Sequence, residues 1–164
     1  MKRYQVWRGF ISTKNIEYEP IDLVLSENGL KQKPLINSKY AQLKIEKINV
    51  DLPIYYGESL DVLKNGIGQH LVSYFPGEGG SILCMGHNYI KYLKRLPEVE
   101  KGDKIVVETD YGTFEYTVYN TKIVHETDVD EAPIQDKEEI FMLYTCYPTN
   151  GLGHATQRFI VYAK

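Results

Sequence analysis

The stretch from Lys104 to Tyr119 limits most what this chain can fold into, because it reads as a hairpin. Lys104-Ile105-Val106-Val107-Glu108-Thr109 forms a first strand, Asp110-Tyr111-Gly112 supplies the turn, and Thr113-Phe114-Glu115-Tyr116-Thr117-Val118-Tyr119 alternates along its length. Period-two alternation puts one set of side chains on each face of a pleated ribbon. The pattern recurs upstream, with Leu43, Ile45 and Lys47 on one face, Lys44 and Glu46 on the other, a turn at Asn49, and Val50 to Tyr55 extended. Fourteen tyrosines against three methionines, with many Val, Ile and Thr, favour the same half-buried pleated surfaces.

Between these strands the punctuation is short. Leu60 to Lys64 predicts one helical turn stopped by Gly66, Gly68 to Tyr74 extended structure, and Phe75 to Gly80 a turn. Ser81-Ile82-Leu83-Cys84-Met85 has the continuous apolar character of a buried strand and breaks at Gly86. Tyr89 to Leu96 predicts a short helix ended by Pro97, and the second hairpin strand runs on to Val124. An acid-rich connection, Glu126 to Glu138, is long enough to expect a functional role. Glu139 to Cys146 is a strand, Thr149 to His154 a flexible crossing, and Gln157 to Ala163 the last strand. Short strands at this spacing imply a mainly β, closed barrel with a few short helices.

The 164 residues fit one domain, placed at 39–164. Residues 1–38, with a short helix expected over Ile21 to Leu25 before the Asn28-Gly29 stop, form an N-terminal arm laid on that domain, or else a flexible leader to a missing anchor. A net charge of −3 with scattered lysines offers no face for a phosphate backbone, so nucleic acid is excluded as a partner. No apolar run approaches the roughly 18 residues a bilayer span needs, and Met1 to Arg8 carries no signal-peptide core, so the chain as given reads as soluble. Two cysteines are too few for a disulfide framework and leave the compartment open.

Three residues carry chemistry. Cys146 ends an apolar strand, His87 follows another directly, and Arg158 stands near the start of the last. A thiol near pKa ~8.5 reacts as its thiolate and needs help at neutral pH. A neighbouring imidazole can stabilise the thiolate and then protonate a leaving amine, and a guanidinium can hold a carbonyl or an oxyanion. Each residue alone is more often structural. His154, in the crossing between Cys146 and Arg158, rivals His87, while His70 and His125 read as surface or packing residues. Cys84, inside an apolar run, reads as strand packing, with a redox bridge to Cys146 left open.

Gly86-His87-Asn88, Leu143-Tyr144-Thr145-Cys146-Tyr147-Pro148 and Gln157-Arg158-Phe159-Ile160-Val161 resemble the three signatures of the sortase family, in the family's order. Ile45 to Tyr55 and Gly66 to His70 resemble its opening strands, so the likeness covers about Tyr40 to Lys164. Thr145-Cys146-Tyr147-Pro148 is most similar to the class D branch; Asn88 and Met142 depart from the common pattern.

The resemblance implies an eight-stranded barrel and a cysteine transpeptidase at the extracellular face of a Gram-positive membrane, held there only through an anchor absent from this chain. Such an enzyme cuts a C-terminal Leu-Pro-x-Thr-Gly-like sorting signal between Thr and Gly. It then passes the thioacyl intermediate to an amine of a cell-wall precursor or a pilin lysine. Carried over residue by residue, Cys146 is the nucleophile, His87 the general acid and base, and Arg158 the oxyanion and substrate binder. Thr145 and Asn88 fall in the substrate groove, and the backbone N–H of Tyr147 in the oxyanion hole. No cofactor is required; Asp128, Asp130, Glu131 and Asp136 admit a calcium site by the same resemblance, against the plainer reading of a solvated acidic loop. Two rivals remain: a cysteine peptidase that passes the acyl group to water, and a non-catalytic barrel that binds extended peptides.

Overall fold

The computed structural model describes residues 22–148 and 154–164, which contain ten strands. In chain order these are β1 (Leu25–Ser26), β2 (Gly29–Leu30), β3 (Lys39–Ile45), β4 (Val50–Tyr56) and β5 (Ile67–Gln69). They continue with β6 (Ser81–Met85), β7 (Lys104–Thr109), β8 (Gly112–His125), β9 (Ile140–Tyr147) and β10 (Gln157–Ala163). Eight of them close a barrel in the order β10-β8-β7-β3-β4-β5-β6-β9. Closure leaves no sheet edge unpaired, which is how short strands avoid acting as templates for other chains.

The β7–β8 hairpin forms as the alternation predicts, with Thr109 opposite Gly112 across the Asp110-Tyr111 turn. Asn49 makes the β3–β4 connection in the left-handed region, at φ 54°, after a 3-10 turn over Glu46–Ile48. That turn takes Lys47 off the apolar face, and its ammonium pairs with Glu100 and Asp103 instead. Two junctions are parallel: β4 with β5, and β6 with β9.

Alternation divides each strand between two environments. Leu43 and Ile45 of β3, Ile82 and Cys84 of β6, and Phe141 and Leu143 of β9 fill the interior. Polar groups that enter it are matched: Tyr40 donates to Gln69, and Gln69 Nε2 donates to the Tyr74 carbonyl at 2.8 Å. Glu139, just before β9, accepts from the Gly77 and Gly79 amides at 3.0 and 2.9 Å and from Tyr116 Oη at 2.6 Å. A carboxylate with that many donors fixes the Pro76–Gly80 turn against the start of the strand.

Four local expectations change. Ile21 lies outside the described residues, and Leu25 belongs to a two-residue ladder with β2 rather than a helix. Gly29 turns that ladder at φ 97°, and Leu30 N donates to Glu78 Oε2 at 3.0 Å, so residues 22–38 lie against the barrel. Extended structure ends at Gln69, because its buried side chain bonds Tyr40 and Tyr74 while Ser73 N closes a turn on the His70 carbonyl. Pro97 starts a 3-10 turn, Leu96–Glu98, instead of ending a helix, a place where its missing N–H costs nothing. Residues 89–95 are turns, with no α-helix. The one α-helix among the described residues, Leu60–Leu63, is capped by Ser59.

Leu43 has no exposed surface, so Leu43→Ala should cost about 2–5 kcal/mol in chemical denaturation. Leu60, 72% exposed, serves as the control, and Leu60→Ala should stay within about 0.5 kcal/mol of the parent.

Candidate active site

The barrel brings the three expected residues to one rim through strand register. On β10, Arg158 lies directly opposite Cys146 of β9. On the other side of β9 the parallel β6 pairs Cys84 with Leu143 and Met85 with Tyr144. Beyond Met85 the backbones stay joined, since Gly86 N donates to the Tyr144 carbonyl at 3.2 Å and Thr145 Oγ1 donates to the Gly86 carbonyl at 2.8 Å. Asn88 Nδ2 reaches the Cys146 carbonyl at 3.4 Å, so the segment that carries His87 runs alongside the end of β9. Imidazole, thiol and guanidinium thus come from three adjacent strand ends, all half-buried.

Strand alternation sets the face. Phe141 and Leu143 of β9 point into the barrel, while Met142 and Tyr144 pack in a second apolar cluster with Leu83, Ile160 and Tyr162. Cys146 shares the parity of Met142 and Tyr144, and Arg158 that of Ile160 and Tyr162. The outer face of β6, β9 and β10 therefore descends in rows from the rim: His87, Cys146 and Arg158, then Met85, Tyr144 and Ile160, then Leu83, Met142 and Tyr162. Met142, 1% exposed, is explained by this cluster.

The 126–139 connection crosses the lowest row and closes it. Tyr162 Oη donates to the Glu131 carbonyl at 2.6 Å on the β10 side. On the β6 side Ser81 Oγ donates to the Pro133 carbonyl at 2.8 Å, and Ser81 N to Gln135 O at 2.9 Å. The result is a second apolar cluster, covered by the connection at its lower rows and less buried toward the thiol, where Met85 and Tyr144 are half-buried. A separate cavity of about 140 Å³, lined in part by Asn49, Asp51, Ile90 and Arg95, contains no nucleophile.

His87 stacks on Tyr89, with ring centroids 5.3 Å apart at 26°, and lies 5.9 Å from Tyr92. Neither of its ring nitrogens has a hydrogen-bond partner among the described residues. Asn88 extends its amide to the Cys146 and Pro148 carbonyls at 3.4 and 3.5 Å, linking the strand end after β6 to the end of β9. Thr145 is 1% exposed with its hydroxyl on Gly86, so its side chain braces the His87 segment from inside instead of lining the groove. The Tyr147 ring turns inward against Phe159, 6.1 Å between centroids.

Arg158 is held firmly. Nη1 donates to the Ala155 and Gln157 carbonyls at 2.9 and 2.8 Å, and Nη2 to Glu126 Oε2 at 3.0 Å. His154 does not approach the thiol from this position; its Nε2 sits 3.2 Å from both oxygens of Glu126. His154, and then Arg158, hold the Glu126 carboxyl below the usual carboxylate range.

Below the rim, Glu58 pairs with His70 Nδ1, and His70 Nε2 meets Tyr144 Oη at 2.7 Å. Tyr144 Oη also reaches Met85 Sδ at 3.3 Å. Burial pushes the Tyr144 phenol up to about 12, and burial lowers the His70 imidazole despite the opposing pull of Glu58. His70 therefore packs against Tyr144, the second of the two expectations for it. Spacing in the sequence places Tyr144 on the Cys146 face, but Glu58, His70 and Glu126 come from distant segments with no signal of their own.

Cys84 lies fully buried in the barrel, its thiol pushed far up by burial, on the face opposite Cys146. Both cysteines are free. Of the loop acids, Glu131 pairs with Lys122 at 2.6 Å and Asp128 accepts from His125 N at 3.1 Å. No group of three or more acidic, His or Cys side chains among the described residues converges to hold a metal ion.

A thiol, an imidazole and a guanidinium carried on neighbouring strand ends are a set of groups that can perform acyl transfer. The Sortase domain family matches residues 43–164, and the chain belongs to the sortase family of cysteine transpeptidases. It is 37% identical over 139 residues to Sortase D of Bacillus subtilis strain 168, covering 85% of this chain and 70% of that protein. Among solved structures it resembles a Clostridium perfringens Sortase D5 transpeptidase, with TM-score 0.69 and 29% identity, over 77% of this chain and 78% of that one. It also resembles Clostridium perfringens sortase C with the C-terminal cell wall sorting motif, with TM-score 0.71 and 29% identity, over 84% of this chain and 77% of that one. The eight-stranded barrel is the one those proteins share, and class D relatives are among the most similar. Sortases work at the bacterial cell surface and bind sorting-signal peptides. Among the described residues no helix is long and apolar enough to cross a membrane.

Thr145→Val keeps the shape but leaves the Gly86 carbonyl unmatched, and should cost about 1–3 kcal/mol in chemical denaturation. His70 supplies a pH dependence. Its folded-state proton affinity is lowered, so below about pH 6.5 the unfolded chain binds the extra proton and stability falls with pH. His70→Gln should reduce the loss of denaturation midpoint between pH 7.5 and pH 5.5.

Proposed function

We propose that this sortase cleaves a Leu-Pro-x-Thr-Gly-like signal between Thr and Gly and transfers the threonyl acyl group to an amine. The observation that supports the assignment best is the pairing of Arg158 with Cys146 across β10 and β9, with His87 on the next strand end. The signal would lie over the half-buried outer face at Met85 and Tyr144, with the scissile carbonyl at the rim.

In the first half-reaction Cys146 Sγ attacks the threonyl carbonyl carbon, and Arg158 with the Tyr147 backbone N–H receives the developing oxyanion. His87 gives a proton to the departing glycine amine, and collapse leaves a thioester on Cys146. In the second, an amine attacks the thioester carbonyl, His87 takes its proton, and Cys146 leaves as the thiolate as the new amide forms. A cell-wall precursor amine or a pilin lysine is the acceptor, at the outer face of a Gram-positive membrane. The relative whose structure carries a cell wall sorting motif supports this substrate class.

Incubation with a Leu-Pro-Glu-Thr-Gly peptide should give a thioacyl adduct on Cys146 by mass spectrometry, and added amine should divert product from acid to amide. Hydrolysis indifferent to every amine would reassign the protein as a peptidase. Cys146→Ala should form no adduct, His87→Ala should lower turnover by about 10²–10⁴-fold, and His154→Ala should retain most of it. The reverse order for the two histidines would move the general acid to His154.

A further inference from the structure

We infer that Glu126 is a positioning residue for Arg158, fixing the guanidinium in the orientation that meets the reacting carbonyl. This rests on the oxyanion role proposed above for Arg158. The strand order β8-β10-β9 puts Glu126, just past the end of β8, on one flank of Arg158 and Cys146 on the other. Glu126 N donates to the Thr156 carbonyl at 2.8 Å, so the carboxylate is attached to the β10 backbone beside the arginine it serves.

The accounting of donors gives the consequence. A guanidinium has five N–H groups in a rigid plane. Three are committed on this site, two from Nη1 to the Ala155 and Gln157 carbonyls and one from Nη2 to Glu126 Oε2. The other two, Nε–H and the second Nη2–H, have no partner among the described residues. Without Glu126 the group keeps only its Nη1 contacts and can rotate about them. With Glu126 the plane is pinned at both terminal nitrogens, and the remaining pair is presented in one direction before substrate arrives. Donors oriented in advance are what a developing oxyanion rewards.

The two side chains are 28% and 21% exposed, so the pair is half-buried, and comparing kcat with Tm separates its positioning role from any share in folding. His154, with Nε2 against both Glu126 oxygens, steadies the carboxylate from the solvent side. The sequence gives Glu126 no motif, and its function follows only from the register of β8 with β10.

Two measurements on the full chain test the inference. In the first, Arg158 Nε–Hε NMR signals, read without substrate, should show restricted guanidinium rotation in the parent and free rotation in Glu126→Ala; equal rotation in both overturns it. In the second, turnover of a Leu-Pro-Glu-Thr-Gly peptide is compared for Glu126→Ala, Glu126→Asp, Arg158→Lys and the Glu126→Ala/Arg158→Lys double variant. Glu126→Ala should lose on the order of 10–10² in kcat with KM and Tm little changed, and Glu126→Asp should recover part of it. The loss should shrink in the Arg158→Lys background. A Glu126→Ala enzyme with parental or higher kcat, beside an impaired Arg158→Lys, overturns the positioning role alone. An Arg158→Lys enzyme with parental kcat overturns the oxyanion role and the positioning role with it.

Discussion

The parallel pairing of β6 with β9 is the contact on which the rest depends. It closes the barrel between two segments separated by more than fifty residues of sequence, and beyond its last pair, Met85 against Tyr144, Gly86 and Asn88 on either side of His87 bond the Tyr144 and Cys146 carbonyls. A slip of one residue would turn every side chain of β9 to the other face, burying the thiol in the core and exposing Phe141 and Leu143. Fold closure and site assembly are therefore one event. Glu139 secures the register at one end of β9, and Thr145 and Asn88 secure it at the other.

The two faces of β9 divide the work. Inward residues pack the barrel core, and outward residues pack the second apolar cluster and carry the Cys146 thiol at the strand end. Thr145 crosses that division, since its buried hydroxyl supports the Gly86 carbonyl next to the histidine it never touches. Tyr144 crosses it from the other side, an outward ring packed on the second apolar cluster with its hydroxyl held by His70. The 126–139 connection completes the arrangement. It is hydrogen-bonded to β10 at one end and β6 at the other, which makes it a wall with fixed footings.

Much of this was legible in the residues. Alternation located the β7–β8 hairpin, and apolar runs that stop abruptly located His87 and Cys146 at strand ends. What stayed hidden depended on contacts between distant segments. Gln69 to Tyr74 reads as extended until the Gln69 side chain turns inward to Tyr40. Leu25 reads as helical until Gly29 folds the chain back on it. Asn88 could cap a helix from Tyr89, but its amide goes to the Cys146 and Pro148 carbonyls and the Tyr89 and Tyr92 rings pack at His87. The resemblance puts Thr145 in the substrate groove, whereas strand parity points it to the Gly86 carbonyl. Glu126 and Glu58 are ordinary acids in the sequence, and only register and proximity give them partners.

The placement of the two cysteines has an analytical use. Cys84 is sealed in the barrel and Cys146 stands at the rim, so a small alkylating reagent meets one address in the native protein and two once the barrel opens. Counting modified thiols against time would then report the breathing of the whole sheet from inside it, with no label added and no substrate required.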